Sequence, residues 1–275
     1  MAQLIEKTPS KINPHTIQAL ILDMDGVLWR GDEPIGDLKA IFEKINEIDW
    51  KVVFATNNGS RTIAEYVELL ASFGVIIEPW QVVSSATASI EYLRAKYPQG
   101  GPIYIIGERG MWEACESHGF YQCESEALSV IVGIDRELTY DKLKIATFLI
   151  QSGSVFIGTN PDKTFPTPQG LAPGAGAILA AIQASTGVNP IIIGKPQPAI
   201  YQIALQRLKL SPDKVLVVGD RPETDITGAQ MIGCPTALVL SGVTDATQAK
   251  AWRPAPNIIA PDLESLVKLD WNHVI

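Results

Sequence analysis

Nine short apolar runs punctuate the chain: ALIL (19–22), VVFA (52–55), IYII (103–106), SVIVGI (129–134), VFIG (155–158), IIIG (191–194), VLVVG (215–219), ALVL (237–240) and NIIA (257–260). Each has the length of a strand, and a strand that is apolar on both faces belongs in a parallel sheet covered on both sides. Between the runs, apolar residues recur at helical spacing in DLKAIFEKINEI, RTIAEYVELLASFG, SSATASIEYLRAKY, YDKLKIATFLIQSG, GAGAILAAIQASTG and PAIYQIALQRLKL. This alternation predicts an α/β fold with a mainly parallel sheet. No low-complexity segment interrupts it, and no repeat of about 20–50 residues points to a solenoid.

A chain of 275 residues, 46% hydrophobic and 19% charged, can bury one large core or two modest ones. Its net charge of −8 and pI near 5.0 argue against nucleic acid or an anionic membrane as partner. An anionic small substrate would need a locally positive site built from a metal, a lysine or helix N-termini. The opening residues, MAQLIEKTPSKINPHT, are polar, and no stretch is long and apolar enough to span a bilayer, so a cytoplasmic location is expected. Cys115, Cys123 and Cys234 lack CxxC spacing, and His15, His118 and His273 are scattered; structural or surface roles are expected for all six.

In open parallel sheets ligands gather beyond the carboxyl ends of the strands, and four apolar runs end in polar chemistry. The first closes on Asp23-Met24-Asp25-Gly26, the second on Thr56-Asn57-Asn58-Gly59-Ser60; Lys195 follows IIIG, and GDRPETD, carrying Asp220 and Asp225, follows VLVV. Hard oxygen donors at this density suit Mg²⁺, although DxDG alone fits a polar turn as well. Asp220 follows Gly219 directly, which favours metal ligation, whereas Asp225 and Glu223 could serve only as first-turn acids complementing a helix dipole, the reading favoured for Glu223. Thr56 offers a hydroxyl, and the turn after it precedes a helix near Arg61 whose N–H groups could hold a phosphate; Ser60 or Asn58 is the expected N-cap. Lys195, held between Gly194 and Pro196, could neutralise a carboxylate and a phosphoryl oxygen. A nucleotide-binding reading fares worse, because GKP lacks the upstream glycine and following Ser/Thr of a P-loop, and GAGAIL does not complete the dinucleotide-binding GxGxxG.

In the order DxDGVL, TNN, GKP, GDxxxTD, the chain closely resembles the haloacid dehalogenase superfamily of phosphohydrolases. Within it, the chain is similar to the branch of NagD-type and 4-nitrophenyl phosphatase or phosphoglycolate phosphatase-like enzymes. VLWRGDEPI, VGIDRELTY and GTNPDKTFPTPQGLAPGAGAI extend the likeness over nearly the whole chain. The resemblance implies a Rossmann-like core and roles for the strand ends. Asp23 would be the nucleophile and a magnesium ligand, and Asp25 the general acid and base, ligating metal through its carbonyl. Thr56, the Asn57 backbone and Asn58 would bind the phosphoryl group, and Lys195 would orient Asp23. Asp220 would ligate magnesium, with Asp225 supporting it from nearby. Pro222 departs from the residue more usual in relatives and puts little in doubt.

Asp25 and Thr56 are 31 positions apart, room for one helix, whereas Thr56 and Lys195 are 139 apart, against roughly 30 or more residues for one crossover with its strands. The excess predicts an α/β cap over residues 83–188, of the C2a type in the family's terms, inserted into a core of 1–82 and 189–275. Such a cap excludes water and selects the leaving group. Candidate selectors are Glu108-Arg109 and Asp135-Arg136, for each of which a solvated turn or helix start is the simpler reading, while Trp29 and Arg30, near the first motif, could line the entrance. The expected activity is hydrolysis of a small phosphorylated metabolite, with a homodimer through the cap suggested by family analogy. The alternatives are transfer to an acceptor other than water, or a catalytically silent binding or regulatory protein.

Overall fold

The computed structural model describes residues 16–31, 33–167, 169–269 and 271; His15 and His273 lie outside them. The strands in chain order are β1 (Ala19–Leu22), β2 (Trp29–Arg30), β3 (Glu33–Pro34), β4 (Lys51–Thr56), β5 (Val82–Ser84), β6 (Gly101–Ile106), β7 (Phe120–Gln122) and β8 (Ser129–Val132). There follow β9 (Val155–Gly158), β10 (Thr164–Thr167), β11 (Gly170–Pro173), β12 (Ile191–Ile192), β13 (Val215–Gly219), β14 (Thr236–Val239) and β15 (Ile258–Ala260). The chain divides into two units, one of Met1–Ala55, Leu69–Val82 and Tyr201–Ile275, the other of Thr56–Glu68 and Val83–Ile200.

The first unit is built on a six-stranded sheet ordered β15-β14-β13-β1-β4-β5. β1 pairs in parallel with β13 and β4, and β13, β14 and β15 continue in parallel. All four β1 side chains and all five residues of β13 are buried, which is why these runs carry no polar alternation; each fully buried aliphatic side chain contributes about 1.5–3 kcal/mol. From β1 the chain order proceeds to β4 and β5 on one side and to β13, β14 and β15 on the other. The β1–β13 junction is therefore the switch point of the sheet, where a ligand crevice opens beyond the carboxyl ends. Leu22 is registered with Val218, so Asp23 stands level with Gly219 and Asp220 lies one residue further on. The Asp23 N–H continues the ladder to the Val218 carbonyl at 2.9 Å.

Helix Leu38–Glu47 follows β3; its buried face is Leu38, Ile41, Phe42 and Ile45, and Asp37 caps it by accepting from Ala40 N.

The second unit has its own five-stranded sheet, ordered β12-β9-β8-β6-β7 and parallel throughout. Its core packs Ile106, Val130, Val132 and Phe156 against Leu149, Ile150, Leu179 and Ile182, the last four from helices Tyr140–Gln151 and Ala175–Thr186. A hairpin of β10 and β11 stands apart from this sheet.

Two features differ from the periodicity. The run IIIG forms only the two-residue edge strand β12, paired with β9 of the second unit's sheet. Beyond it Ile193 and Gly194 still donate to Gly158 and Thr159 carbonyls at 3.0 and 2.8 Å. The short strands β5 and β7 and the β10–β11 hairpin lack a long apolar run, and their pairing comes from tertiary context. Among the described residues, no helix is long and apolar enough to cross a membrane.

Candidate active site

At the switch point of the first unit, Asp23, Asp220 and Asp225 are all buried, and one carboxylate oxygen from each lies within 4.8 Å of the others. Three carboxylates packed this closely repel one another in a low-dielectric setting unless a cation is shared among them. The donors are hard oxygens, the set that Mg²⁺ or Ca²⁺ selects.

Glycines make the room. An added Cβ on Gly26, which sits at φ +82°, would fall 2.5 Å from Asp220 Oδ2, and one on Gly242 would also collide with the Asp220 carboxylate. A Cβ on Gly219 would collide with the Asp225 side chain. The loop after β14 then fixes Asp220: Val243 N donates to its Oδ2 at 2.9 Å and Thr244 Oγ1 to its carbonyl at 2.6 Å. The same loop holds the DxDG turn, because Ser241 Oγ donates to Gly26 O at 2.7 Å while Arg30 Nε donates to Ser241 O at 2.7 Å.

Asp225 lies in a single π-type turn, Pro222–Ile226, and its Oδ2 accepts from Arg221 N at 3.0 Å. Behind it the buried Tyr201 hydroxyl donates to the Thr224 and Asp225 carbonyls at 3.1 and 3.2 Å. Burial, with the Asp225 and Asp23 carboxylates adding to it, pushes the Tyr201 phenol well above its ordinary range, so it stays a neutral donor. Asp25 is exposed, and its Oδ1 accepts from Trp29 Nε1 at 3.1 Å. Trp29, expected near the entrance, is instead a core residue, 1% exposed and packed on Phe73.

The second unit gathers the other motif residues. Thr56, at the end of β4, is buried and its Oγ1 accepts from Asn58 N at 3.0 Å. Asn58 Oδ1 accepts from Ser60 N and Ser60 Oγ at 3.0 and 2.7 Å, and its carbonyl accepts from Tyr66 Oη at 2.9 Å. The expected helix cap is corrected: Thr62, not Ser60 or Asn58, caps Ile63–Ser72 through Glu65 N→Thr62 Oγ1 and Thr62 N→Glu65 Oε2, at 3.2 and 2.7 Å. Lys195 is 3% exposed. Asn57 brackets its backbone, with Lys195 N donating to Asn57 Oδ1 at 2.7 Å and Asn57 Nδ2 donating to Lys195 O at 3.1 Å.

Of the other singled-out residues, Asp135 is buried against Lys142 Nζ at 2.7 Å, Arg136 pairs with Glu108 Oε2 at 2.6 Å and Arg109 with Glu65 Oε1 at 3.0 Å. Glu223 is exposed, as a first-turn acid should be. Burial pushes the Cys115 and Cys234 thiols up to about 12, and His118 is exposed. Sequence reasoning passed over Ser85, Asn160, Asp162, Ser241 and Thr244. The one available signal was GTNPD, in which Asn160 and Asp162 flank a proline just past an apolar run.

A doubly wound parallel sheet with three acids clustered at its switch point defines an α/β protein whose candidate site is built on carboxylates. Family models for haloacid dehalogenase-like hydrolases match residues 20–121 and 192–266. Acid sugar phosphatase from Staphylococcus aureus is 34% identical over 255 residues, covering 92% of this chain and 98% of the relative. Among solved structures, NagD of Escherichia coli K-12 superposes with a TM-score of 0.84 at 29% identity, covering 93% of this chain and 99% of the other. Glycerol phosphate phosphatase from Mycobacterium tuberculosis, in complex with magnesium, superposes at 0.86 with 30% identity, covering 96% of this chain and 80% of that one. The chain belongs to the haloacid dehalogenase-like hydrolases, in the NagD-like branch, and is an enzyme of the phosphatase class.

Proposed function

We propose that the protein is a Mg²⁺-dependent phosphomonoesterase acting on a small phosphorylated metabolite through an aspartyl-phosphate on Asp23. The buried cluster of Asp23, Asp220 and Asp225 carries this reading. Asp23 attacks phosphorus and the ester P–O bond breaks; Asp25 gives its proton to the leaving alkoxide, then takes one from the water that cleaves the acyl phosphate. Asp23, Asp220 and the Asp25 carbonyl, with Asp225 beside them, would hold Mg²⁺, which when bound cancels phosphoryl charge. Thr56, the Asn57 N–H, Asn58 and Lys195 serve the phosphoryl group. We assign residues 1–82 and 189–275 to the catalytic core and 83–188 to a cap that selects the leaving group.

The substrate class we favour is small polyol and sugar phosphates. Its support is the similarity to a relative named acid sugar phosphatase and a structure titled glycerol phosphate phosphatase. The test is phosphate release with Mg²⁺ from 4-nitrophenyl phosphate, phosphoglycolate, glycerol phosphate, hexose phosphates and nucleoside monophosphates. A polyol or sugar phosphate should rank among the best by kcat/KM. Release from none of them would refute the function, and a preference for nucleotides would refute the substrate class.

Trp29 gives a separate check on Asp25. Trp29→Phe removes the Nε1 donor and keeps most of the buried ring. The bond at 3.1 Å orients the Asp25 carboxyl, and because small displacements of a proton-transfer group lower the rate, kcat on 4-nitrophenyl phosphate should fall roughly tenfold. Steady-state kinetics beside a thermal melt would show it; a wild-type kcat would mean that the indole does not serve Asp25.

A further inference from the structure

Asn57 has too few hydrogens to be a phosphate ligand through its side chain. A primary amide offers two N–H donors and one carbonyl oxygen. Lys195 supplies both a donor and an acceptor, which orients the amide: Oδ1 must face Lys195 N and Nδ2 must face Lys195 O, at 2.7 and 3.1 Å. The second Nδ2 hydrogen points to Asp162 Oδ2 at 3.3 Å. Both donors are thus committed within the protein, and the side chain acts as a splint for the backbone of Lys195.

The splint is itself held by its main chain. The Asn57 carbonyl accepts two hydrogen bonds, from Ser85 Oγ at 2.6 Å and from Asn160 Nδ2 at 2.9 Å. Ser85 is fully buried and Asn160 is 9% exposed, so neither bond competes with bulk water, and such bonds are strong and directional. Asn160 is fixed in turn by Asp162 N, which donates to its Oδ1 at 3.1 Å. Gly194 closes the bracket: its N–H bonds to Thr159 O at 2.8 Å, and an added Cβ there would lie 2.6 Å from Asn57 Oδ1. Segments 56–58, 85, 159–162 and 194–195, far apart in sequence, meet on one amide.

We infer that Asn160 and Ser85 are positioning residues for Lys195, acting through Asn57. This rests on the reading that Lys195 serves the phosphoryl group. Buried at 3% exposure, the ammonium depends on where its backbone is placed, because a displacement of about 1 Å at a reacting centre can cost on the order of 100-fold in rate.

The test compares wild type with Asn160→Ala and Asn160→Asp. The aspartate keeps the acceptor for Asp162 N and removes the donor to Asn57 O; the alanine removes both. Each variant should lower kcat on 4-nitrophenyl phosphate by roughly 10- to 100-fold with KM changed by less than about threefold. A second readout needs no turnover: acylation of Lys195 by an amine-reactive succinimidyl ester, followed by peptide mass spectrometry, should quicken in both variants. Wild-type kcat, or unchanged Lys195 labelling, in folded variants overturns the inference. Should wild type itself hydrolyse no phosphate ester, the proposed function fails and the labelling rates alone decide the positioning role. If Asn160 variants do not fold, Ser85→Ala, which removes the other donor to the same carbonyl, takes the same two measurements with the same outcomes.

Discussion

Asp23→Asn is expected to abolish hydrolysis of 4-nitrophenyl phosphate, lowering kcat by about four orders of magnitude or more, as loss of a covalent nucleophile does elsewhere. The change is nearly isosteric and leaves the backbone bond from Asp23 N to Val218 O untouched. It also removes one of three buried carboxylates whose oxygens lie within 4.8 Å. Without metal those charges repel, so the variant should melt at a temperature equal to or above that of wild type. The two readouts move in opposite directions, which separates a lost nucleophile from a lost fold. Initial rates and a thermal melt in chelator measure both. Turnover near the wild-type rate in folded Asp23→Asn would sink the aspartyl-phosphate mechanism, and a melting temperature several degrees lower would show that the cluster is held by something other than a cation.

The core was legible because burial on both faces leaves a direct mark. ALIL and VLVVG carry no polar residue, and they are β1 and β13, the pair flanking the switch point. The carboxylates were legible for the same reason: an acid straight after such a run has no surface to escape to, and Asp23 and Asp220 are indeed buried beside each other. Asp225 was read as a support from nearby, and the structure brings it into the same cluster as the other two. IIIG shows the limit of apolarity as a guide. The run marks a strand but neither its burial nor its sheet: Ile191 is 41% exposed, and Ile191 and Ile192 pair at the edge with β9 of the second unit.

The supporting shell was harder to read because its signals are single small polar residues. Ser241, Thr244 and Ser85 are individually indistinguishable from loop or helix-start residues, and their function appears only when Gly26 O, Asp220 O and Asn57 O stand in front of them. Trp29 misled for a related reason. An aromatic residue beside a charged motif suggests an entrance, yet the indole is buried and turned so that its one donor meets Asp25.

Removing metal should silence the enzyme, and one methyl group on Gly242 should nearly do the same. Excess chelator is expected to reduce phosphate release to background and added Mg²⁺ to restore it, because the acid cluster otherwise repels the substrate's own charge. Gly242→Ala acts on a single member of that cluster. The new Cβ would overlap the Asp220 carboxylate, which cannot swing aside without breaking the bond that Val243 N donates to its Oδ2 at 2.9 Å, while Thr244 Oγ1, donating to the Asp220 carbonyl at 2.6 Å, holds the backbone behind it. Relief must come from displacing the carboxylate or the loop, and either spoils a site whose ligand distances for Mg²⁺ tolerate only a few tenths of an ångström. The Mg²⁺ concentration for half-maximal activity should rise by about tenfold or more, and kcat at saturating metal should fall on the order of 100-fold. Binding also reads out without turnover, since a ligand that prefers the native state raises the melting temperature. Wild type should gain stability on adding Mg²⁺, and Gly242→Ala should gain much less at the same concentration. Equal Mg²⁺ dependence of rate and melting in the two proteins would remove Asp220 from the metal site and leave the cluster without its proposed occupant.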